Sequence, residues 1–220
     1  ETARLTAPGT DAAQEGRVNH GRGDAAYVRG ERAGDTAFRI FREPRPLKDP
    51  ATGEVLGYEA AYVGAADFVR QAPDATGPDG KPQIVPATFV ITSARQEANV
   101  GDRLSPVPPR EFTNYAPHAP TQPIDGRIVS IYGDALTAGQ NQIVALNKGA
   151  QDGVERGHVF ALWRDGQVVR DRTDPDRAVM KLPNERHGML FVFRVFDRMS
   201  YALILSVQTP VNPGDRFTQP

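Results

Sequence analysis

Apolar residues in this chain come in short clusters rather than long periodic runs. Phe38 to Phe41, Ile84 to Ile91, Ile143 to Leu146, Val159 to Trp163, Leu190 to Phe196 and Tyr201 to Val207 are rich in β-branched or aromatic residues and bounded by Gly, Pro, Asn or Asp. That is the composition and spacing of strands. Within Met189 to Phe196, Leu190, Val192 and Phe196 fall on one face at period two, and Phe191, Phe193 and Val195 on the other. Only Arg194 interrupts this, so the segment predicts a strand that is apolar on both sides and central in its sheet. Glu59 to Arg70 allows a partial helical spacing through Ala60, Val63 and Asp67, but Gly64 in its middle and the strand-preferring Tyr62 and Val63 favour β. The pattern predicts an all-β fold with few or no helices.

The chain also repeats itself. Ala87 to Leu104 aligns without gaps on Ser200 to Phe217: Ile91 falls on Ile204, Ser93 on Ser206, Asn99 on Asn212, and Gly101-Asp102-Arg103 on Gly214-Asp215-Arg216. Upstream, Gly34 to Arg42 resembles Gly157 to Arg164 with one residue of slip, which a β-bulge can absorb. Earlier still, Glu15-Gly16-Arg17-Val18 matches Asp125-Gly126-Arg127-Ile128. Landmarks kept in one order predict a tandem duplication of antiparallel β units, small barrels or sandwiches. The expected boundaries are an N-terminal tail over 1–14, unit one over 15–105, a linker over 106–124 and unit two over 125–218. Ser105 to Pro123 carries six prolines, which predicts an extended, semi-rigid connection. The copies differ mainly in loops, at Gln71 to Gln83 in the first and at Ser130 to Gln142 and Val168 to Pro183 in the second.

Composition changes this picture little. Gly and Pro supply 21 and 19 of the 220 residues, well above the usual background of about 12%, as short strands and turns require. With 26 Lys and Arg against 27 Asp and Glu, the formal net charge is -1. No global basic field exists to attract nucleic acid or an anionic membrane surface. No apolar run approaches the roughly 18 residues that span a bilayer, and no signal-like segment opens the chain. The first residue is Glu1, not Met, from which an upstream targeting segment or domain is expected. Zero cysteines exclude disulfides, thiol catalysis and Cys-bound zinc.

Motifs that carry chemistry are sparse. His20, His118, His158 and His187 show no metal-ligand spacing, so no metal is expected, and no nucleophile elbow, P-loop or dinucleotide fingerprint implies a cofactor or catalytic residue. Carboxylates such as Asp24, Glu59, Asp67, Asp174 and Asp176 read as solvated loop acids. Arg22-Gly23-Asp24 spells an adhesion tripeptide but reads as a polar turn, and Asp74 to Lys81 reads as a Pro-Asp-Gly turn, not a calcium loop. In the paired Gly-Asp-Arg motifs, Gly101 and Gly214 are expected at positive φ, Asp102 and Asp215 as turn caps, and Arg103 and Arg216 at the start of a closing strand. Arg42 and Arg164 end the aromatic strands, with Phe41 and Trp163 expected in core or half-buried packing. Were Trp163 and Tyr132 exposed in one groove, they would be candidates for stacking on a glycan.

Gly16 to Gly30, Phe41 to Tyr58, Val144 to Gly157 and Phe191 to Leu205 resemble the region that follows the LysM domain in LysM peptidoglycan-binding-domain-containing envelope proteins of proteobacteria. The resemblance implies a bacterial envelope protein, periplasmic and held at peptidoglycan by its LysM module, and it implies no catalytic residues. Gly34-Asp35-Thr36 followed by Ile40 imitates the start of a LysM repeat. However, Arg42-Glu43-Pro44-Arg45-Pro46 would break the helix that such a repeat needs next, so the LysM module is expected upstream of Glu1. The function expected is a non-enzymatic scaffold or protein-interaction region with an unidentified envelope partner, recognised through the divergent loops at Gln71 to Gln83 and Ser130 to Gln142. The alternatives are a carbohydrate-binding module in its own right or a peptidoglycan-processing enzyme.

Overall fold

The computed structural model describes residues 3–8, 19–30, 34–71, 73–108, 115–133, 135–173 and 176–220. Its elements are strands apart from one 3-10 turn at Ala150–Asp152, so the fold is all-β. Twelve strands build two six-stranded closed barrels. We number them β1 Ala3–Pro8, β2 Ala25–Gly30, β3 Ala37–Phe41, β4 Tyr62–Arg70, β5 Ala87–Ala94 and β6 Arg103–Pro106 in the first. The second has β7 Asp125–Ile131, β8 Ile143–Leu146, β9 Val159–Arg164, β10 Glu185–Val195, β11 Ser200–Val207 and β12 Arg216–Thr218.

Around the first barrel the order is β1-β6-β3-β4-β5-β2, and around the second β7-β12-β9-β10-β11-β8, with every pair antiparallel. The order is the same six strands onward, as a duplication requires. The seam that closes the first barrel is short, Ala3 facing Leu104 and Arg4 facing Arg103.

The likeness reaches individual irregularities. β5 bulges against β4 between Ile91 and Ser93, and β11 bulges against β10 between Ile204 and Ser206. Each bulge brings a carbonyl onto a glycine of the facing strand: a Cβ on Gly64 would lie 2.2 Å from the Ser93 oxygen, and one on Gly188 2.5 Å from the Ser206 oxygen. Only glycine admits that approach. A second bulge displaces Val63 from the β3 pairing and His187 from the β9 pairing.

The Asp-capped turns recur as well. The Asn99 amide donates to the Asp102 carboxylate at 2.8 Å, and the Asn212 amide to that of Asp215 at 2.8 Å, with Gly101 at φ 99° and Gly214 at φ 93°. The Arg42 and Arg164 guanidinium groups donate to the carbonyls of Glu97 and Pro210, which precede the two turns. Phe41 and Trp163, one residue earlier, are half-buried.

Each barrel has its own core. In the first, Phe38 and Phe89 meet edge to face at 5.3 Å and Phe68 meets Phe89 at 5.6 Å, above Ile40, Ile91 and Leu104. In the second, Phe160 meets Phe217 at 5.0 Å among Ile128, Leu146, Leu162, Leu190 and Ile204.

Several sequence expectations shift. β5 starts at Ala87, not Ile84, because Pro86 has no amide to pair, and Ile84 is exposed. β10 is central, between β9 and β11, but a bulge between Val192 and Arg194 breaks its alternation. Val195 therefore turns onto the core and Phe196, just past the strand, is left exposed. Strand β1 lies in the stretch expected as a tail, and Arg4, opposite Arg103, holds the position of Arg127, opposite Arg216. Glu15 to Val18, aligned with Asp125 to Ile128 from sequence, lie outside the described residues. Unit one takes Glu1–Arg45 and Glu59–Glu111, and unit two takes Pro46–Tyr58 and Phe112–Pro220. The second unit thus includes a hairpin drawn from within the sequence of the first, and the latter part of the expected linker.

Candidate functional site

That borrowed hairpin, Arg45–Lys48 with Val55–Glu59, forms one wall of the candidate site. Its tip is built by Asp49, whose Oδ1 accepts from the amides of Ala51 at 2.7 Å and Thr52 at 3.1 Å, with Gly53 at φ 75° closing the turn. The other carboxylate oxygen accepts from the Asn147 amide group at 2.8 Å, and the Asn147 carbonyl oxygen accepts from the Arg127 backbone at 2.6 Å. Burial pushes the Asp49 carboxyl up, but the bonds from Asn147, Ala51 and Thr52 and the charge of Lys148 prevail and hold it below its ordinary value. Beneath the tip, Leu47 and Leu56 pack on Val129, Ala145 and Met199, covering the outer face of β7 and β8.

The turn Phe196-Asp197-Arg198-Met199 between β10 and β11 forms the other wall. The Phe196 amide donates to the Met199 carbonyl, while the amides of Ala150 and Gln151 donate to the carbonyls of Phe196 and Asp197. A Cβ on Gly149 would lie 2.4 Å from the Phe196 oxygen, so glycine is what lets the 3-10 turn support this loop. Arg198 reaches across to Glu54 at 2.7 Å and to the Val55 carbonyl. Between the walls is a groove of about 290 Å³, lined by Leu56, Gly57 and Tyr58 on one side and by Phe196, Asp197, Arg198, Met199 and Tyr201 on the other. Tyr58 is 70% exposed and Phe196 41%. Phe196 meets Tyr201 edge to face at 6.1 Å, and Arg194 lies over the Phe196 ring at 5.2 Å. A preformed concave surface of aromatic, methionine and arginine side chains results.

Sequence reading passed over this groove. Its rings stand 138 positions apart, at 58 and 196, and Phe196 becomes accessible only through the bulge in β10. The residues singled out from sequence are placed elsewhere. Trp163 is half-buried in β9, and its indole nitrogen donates to Thr218 Oγ1 at 2.9 Å. Tyr132, 42% exposed, follows the far end of β7. Trp163 faces Arg216, which faces Arg127, and Tyr132 lies five residues beyond, about 15 Å along the strand. The two rings do not form one stacking platform.

Beside Trp163, Arg216 pairs with Asp125, and Arg127 with Asp165 at 2.7 Å. The bond from Arg216 holds the Asp125 carboxyl below its ordinary value and raises Arg216, and the bond from Arg127 does the same to the Asp165 carboxyl. In the first unit Arg103 pairs with Glu43 at 3.1 Å. Arg103 and Arg216, at the start of their closing strands, thus reach acids distant in sequence.

Asp24 accepts from the Gly21 amide at 2.9 Å, and Gln142 Oε1 from the Gly139 amide at 2.6 Å. Gly23 and Asn141, at φ 92° and 65°, complete matching turns. Arg22-Gly23-Asp24 is thus half of a repeated turn. Glu59, 7% exposed, is paired with Arg45 at 2.7 Å, and Asp174 lies outside the described residues. The segment Gln71 to Gln83 is largely exposed and folds into a small hairpin at Ala75–Thr76 and Pro82–Gln83. In Ser130 to Gln142, Ala138 is buried and exchanges backbone bonds with Val211. Among the described residues no helix is long and apolar enough to cross a membrane. No protein-family profile matches the chain, and no curated protein matches it.

Proposed function

We propose that this chain is a non-enzymatic recognition module of the bacterial cell envelope, in which the barrels are a frame and the groove beside Tyr58 and Phe196 binds a protein partner. Periplasmic placement, and anchorage to peptidoglycan through a LysM domain outside these residues, complete the proposal and rest on the sequence resemblance. The observation that supports partner binding is the make-up of the groove. Tyr58, Phe196, Tyr201, Met199 and Arg198 are the residue types enriched at the centres of protein interfaces, and the Arg198–Glu54 pair stands at the rim as such interfaces arrange their charges. The support given by Gly149 and Asn147 keeps both walls in place before a partner arrives, which lowers the entropic cost of binding.

The test is site-specific photocross-linking in cells from a reactive residue placed at Tyr58. A discrete protein adduct is expected, lost when Phe196→Ala and Arg198→Glu are added, while a reactive residue at the exposed Val168 gives none. Equal adducts from both positions would defeat the proposal. A glycan reading retains one observation in its favour, the wide exposure of Tyr58, onto whose ring a sugar could stack. Co-sedimentation of this chain with purified sacculi, abolished by Tyr58→Ala, would favour that reading over the first.

A further inference from the structure

His118 and His158, 40 positions apart in the sequence, meet in the second unit. The His118 amide donates to the Gly157 carbonyl at 3.0 Å and the Val159 amide to the His118 carbonyl at 2.9 Å, so the two histidines sit opposite each other in a short parallel bridge. Gly157 makes this possible. Its φ is +100°, and a Cβ there would lie 2.9 Å from His118 Cε1 and 3.0 Å from the Ala116 oxygen. Upstream, Arg156 holds the same segment by donating to the Tyr115 hydroxyl at 2.8 Å. The imidazole centroids come to 4.9 Å.

The hydrogen bonds fix where each ring carries its lone pair. His118 Nδ1 lies 2.9 Å from the Ala116 carbonyl oxygen, which can only accept, so Nδ1 carries the proton and Nε2 is bare. His158 Nδ1 takes a bond from the Glu155 backbone amide at 3.1 Å, which can only donate, so here Nδ1 is bare and Nε2 carries the proton. The Glu155 side chain is exposed beside them, and ligand atoms of His118, Glu155 and His158 lie within 4.8 Å of one another.

We propose that His118 Nε2, His158 Nδ1 and the Glu155 carboxylate bind a divalent transition metal of the zinc class, with water completing the coordination. Two imidazoles and one carboxylate suit zinc better than magnesium or calcium, which take oxygen ligands. The Ala116 carbonyl on His118 Nδ1 is the backbone partner that orients a ligating histidine. Metal–nitrogen bonds of about 2.0–2.1 Å require the donors to draw closer, and His118 and Glu155, both exposed, can move to do so. His158 is 3% exposed, and the metal takes its lone pair by displacing the Glu155 amide. Binding would clamp the proline-rich stretch at Tyr115 to His118 against the start of β9.

Titration of the 220-residue chain with Zn²⁺ by calorimetry tests this, with Mg²⁺ as the counter-case and amide NMR as a second readout. One Zn²⁺ per chain is expected, weakened roughly tenfold or more by His118→Ala and by Glu155→Gln, with the Glu155 amide resonance among those that move most. Both substitutions are at exposed positions, so the variants should keep the amide spectrum of the parent. Failure to bind Zn²⁺, equal binding of Mg²⁺, or Zn²⁺ binding unchanged in both variants would each overturn the site.

Discussion

His187 Nε2 lies 3.9 Å from the Asp215 carboxylate and, though buried, has no hydrogen-bond partner among the described residues. Its counterpart at the same bulge of the first barrel is Val63, fully buried in the core. A desolvated ring nitrogen without a partner costs about 1–3 kcal/mol. Its other nitrogen meets the backbone carbonyl and the hydroxyl of Thr209, an exposed residue whose hydroxyl can turn to water. His187→Val is therefore expected to raise stability by about 1 kcal/mol, seen as a higher urea midpoint with an unchanged slope. A lower midpoint would show that the ring carries more of the local structure than its bonds suggest.

The bulge glycines give a paired expectation. Gly64→Ala and Gly188→Ala each drive a Cβ into a carbonyl oxygen, and each should cost about 2 kcal/mol or more. Gly139→Ala is the control, since its Cβ would meet nothing nearer than Gln142 Oε1 at 3.9 Å. Thermal unfolding should separate the two barrel variants clearly from this third.

Asp102 serves two partners, the Asn99 amide at 2.8 Å and Arg42 Nε at 3.3 Å, while itself 3% exposed. Asp102→Ala should cost about 2 kcal/mol, since hydrogen bonds to a charged group are worth about 1.5–3 kcal/mol. Asp102→Asn, which keeps an acceptor for the Asn99 amide, should recover part of the loss. Comparing the two by chemical denaturation divides the charge from the cap.

Asp125 and Asp165 make stability depend on acid. Both carboxyls are held below 3.8, first by their bonds to Arg216 and Arg127. Their contribution is complete above the unfolded value and is lost as pH falls through the lower folded values. The double variant Asp125→Asn, Asp165→Asn should be less stable than the parent at pH 7, with the gap closing below about pH 3.8. Urea midpoints measured from pH 7 to pH 2 decide it. A gap of constant size would mean that the ion pairs contribute little.

How much of this was legible beforehand follows from which interactions are local. Strand positions, the Gly-Asp-Arg turns and the duplication depend on residues close in sequence, and Ile143–Leu146 was readable to the residue. Core equivalence was harder to see. Phe89 and Leu104 fill the places that Ala202 and Phe217 fill in the other copy, so bulk has moved between positions and the alignment shows mismatches where packing is conserved. The groove and the His118–His158 pair were not legible. Both arise where segments far apart in the chain meet, and one of them depends on a bulge that reverses the inside and outside of Val195 and Phe196. Pro46–Tyr58 was hidden for a related reason, since nothing in its own sequence names the surface that will cover Leu47 and Leu56.

That hairpin has a temporal consequence. Synthesised at roughly 5–20 residues per second, it leaves the ribosome some 10–30 s before the strand at Arg216–Thr218 completes its barrel. Val129 and Ala145 follow only about halfway through that interval and Met199 near its end, so until then Leu47 and Leu56 lack the surface they rest on. Severing the gene in the proline-rich stretch would make the wait permanent, leaving the latter half without its cover and the former with an adhesive loop.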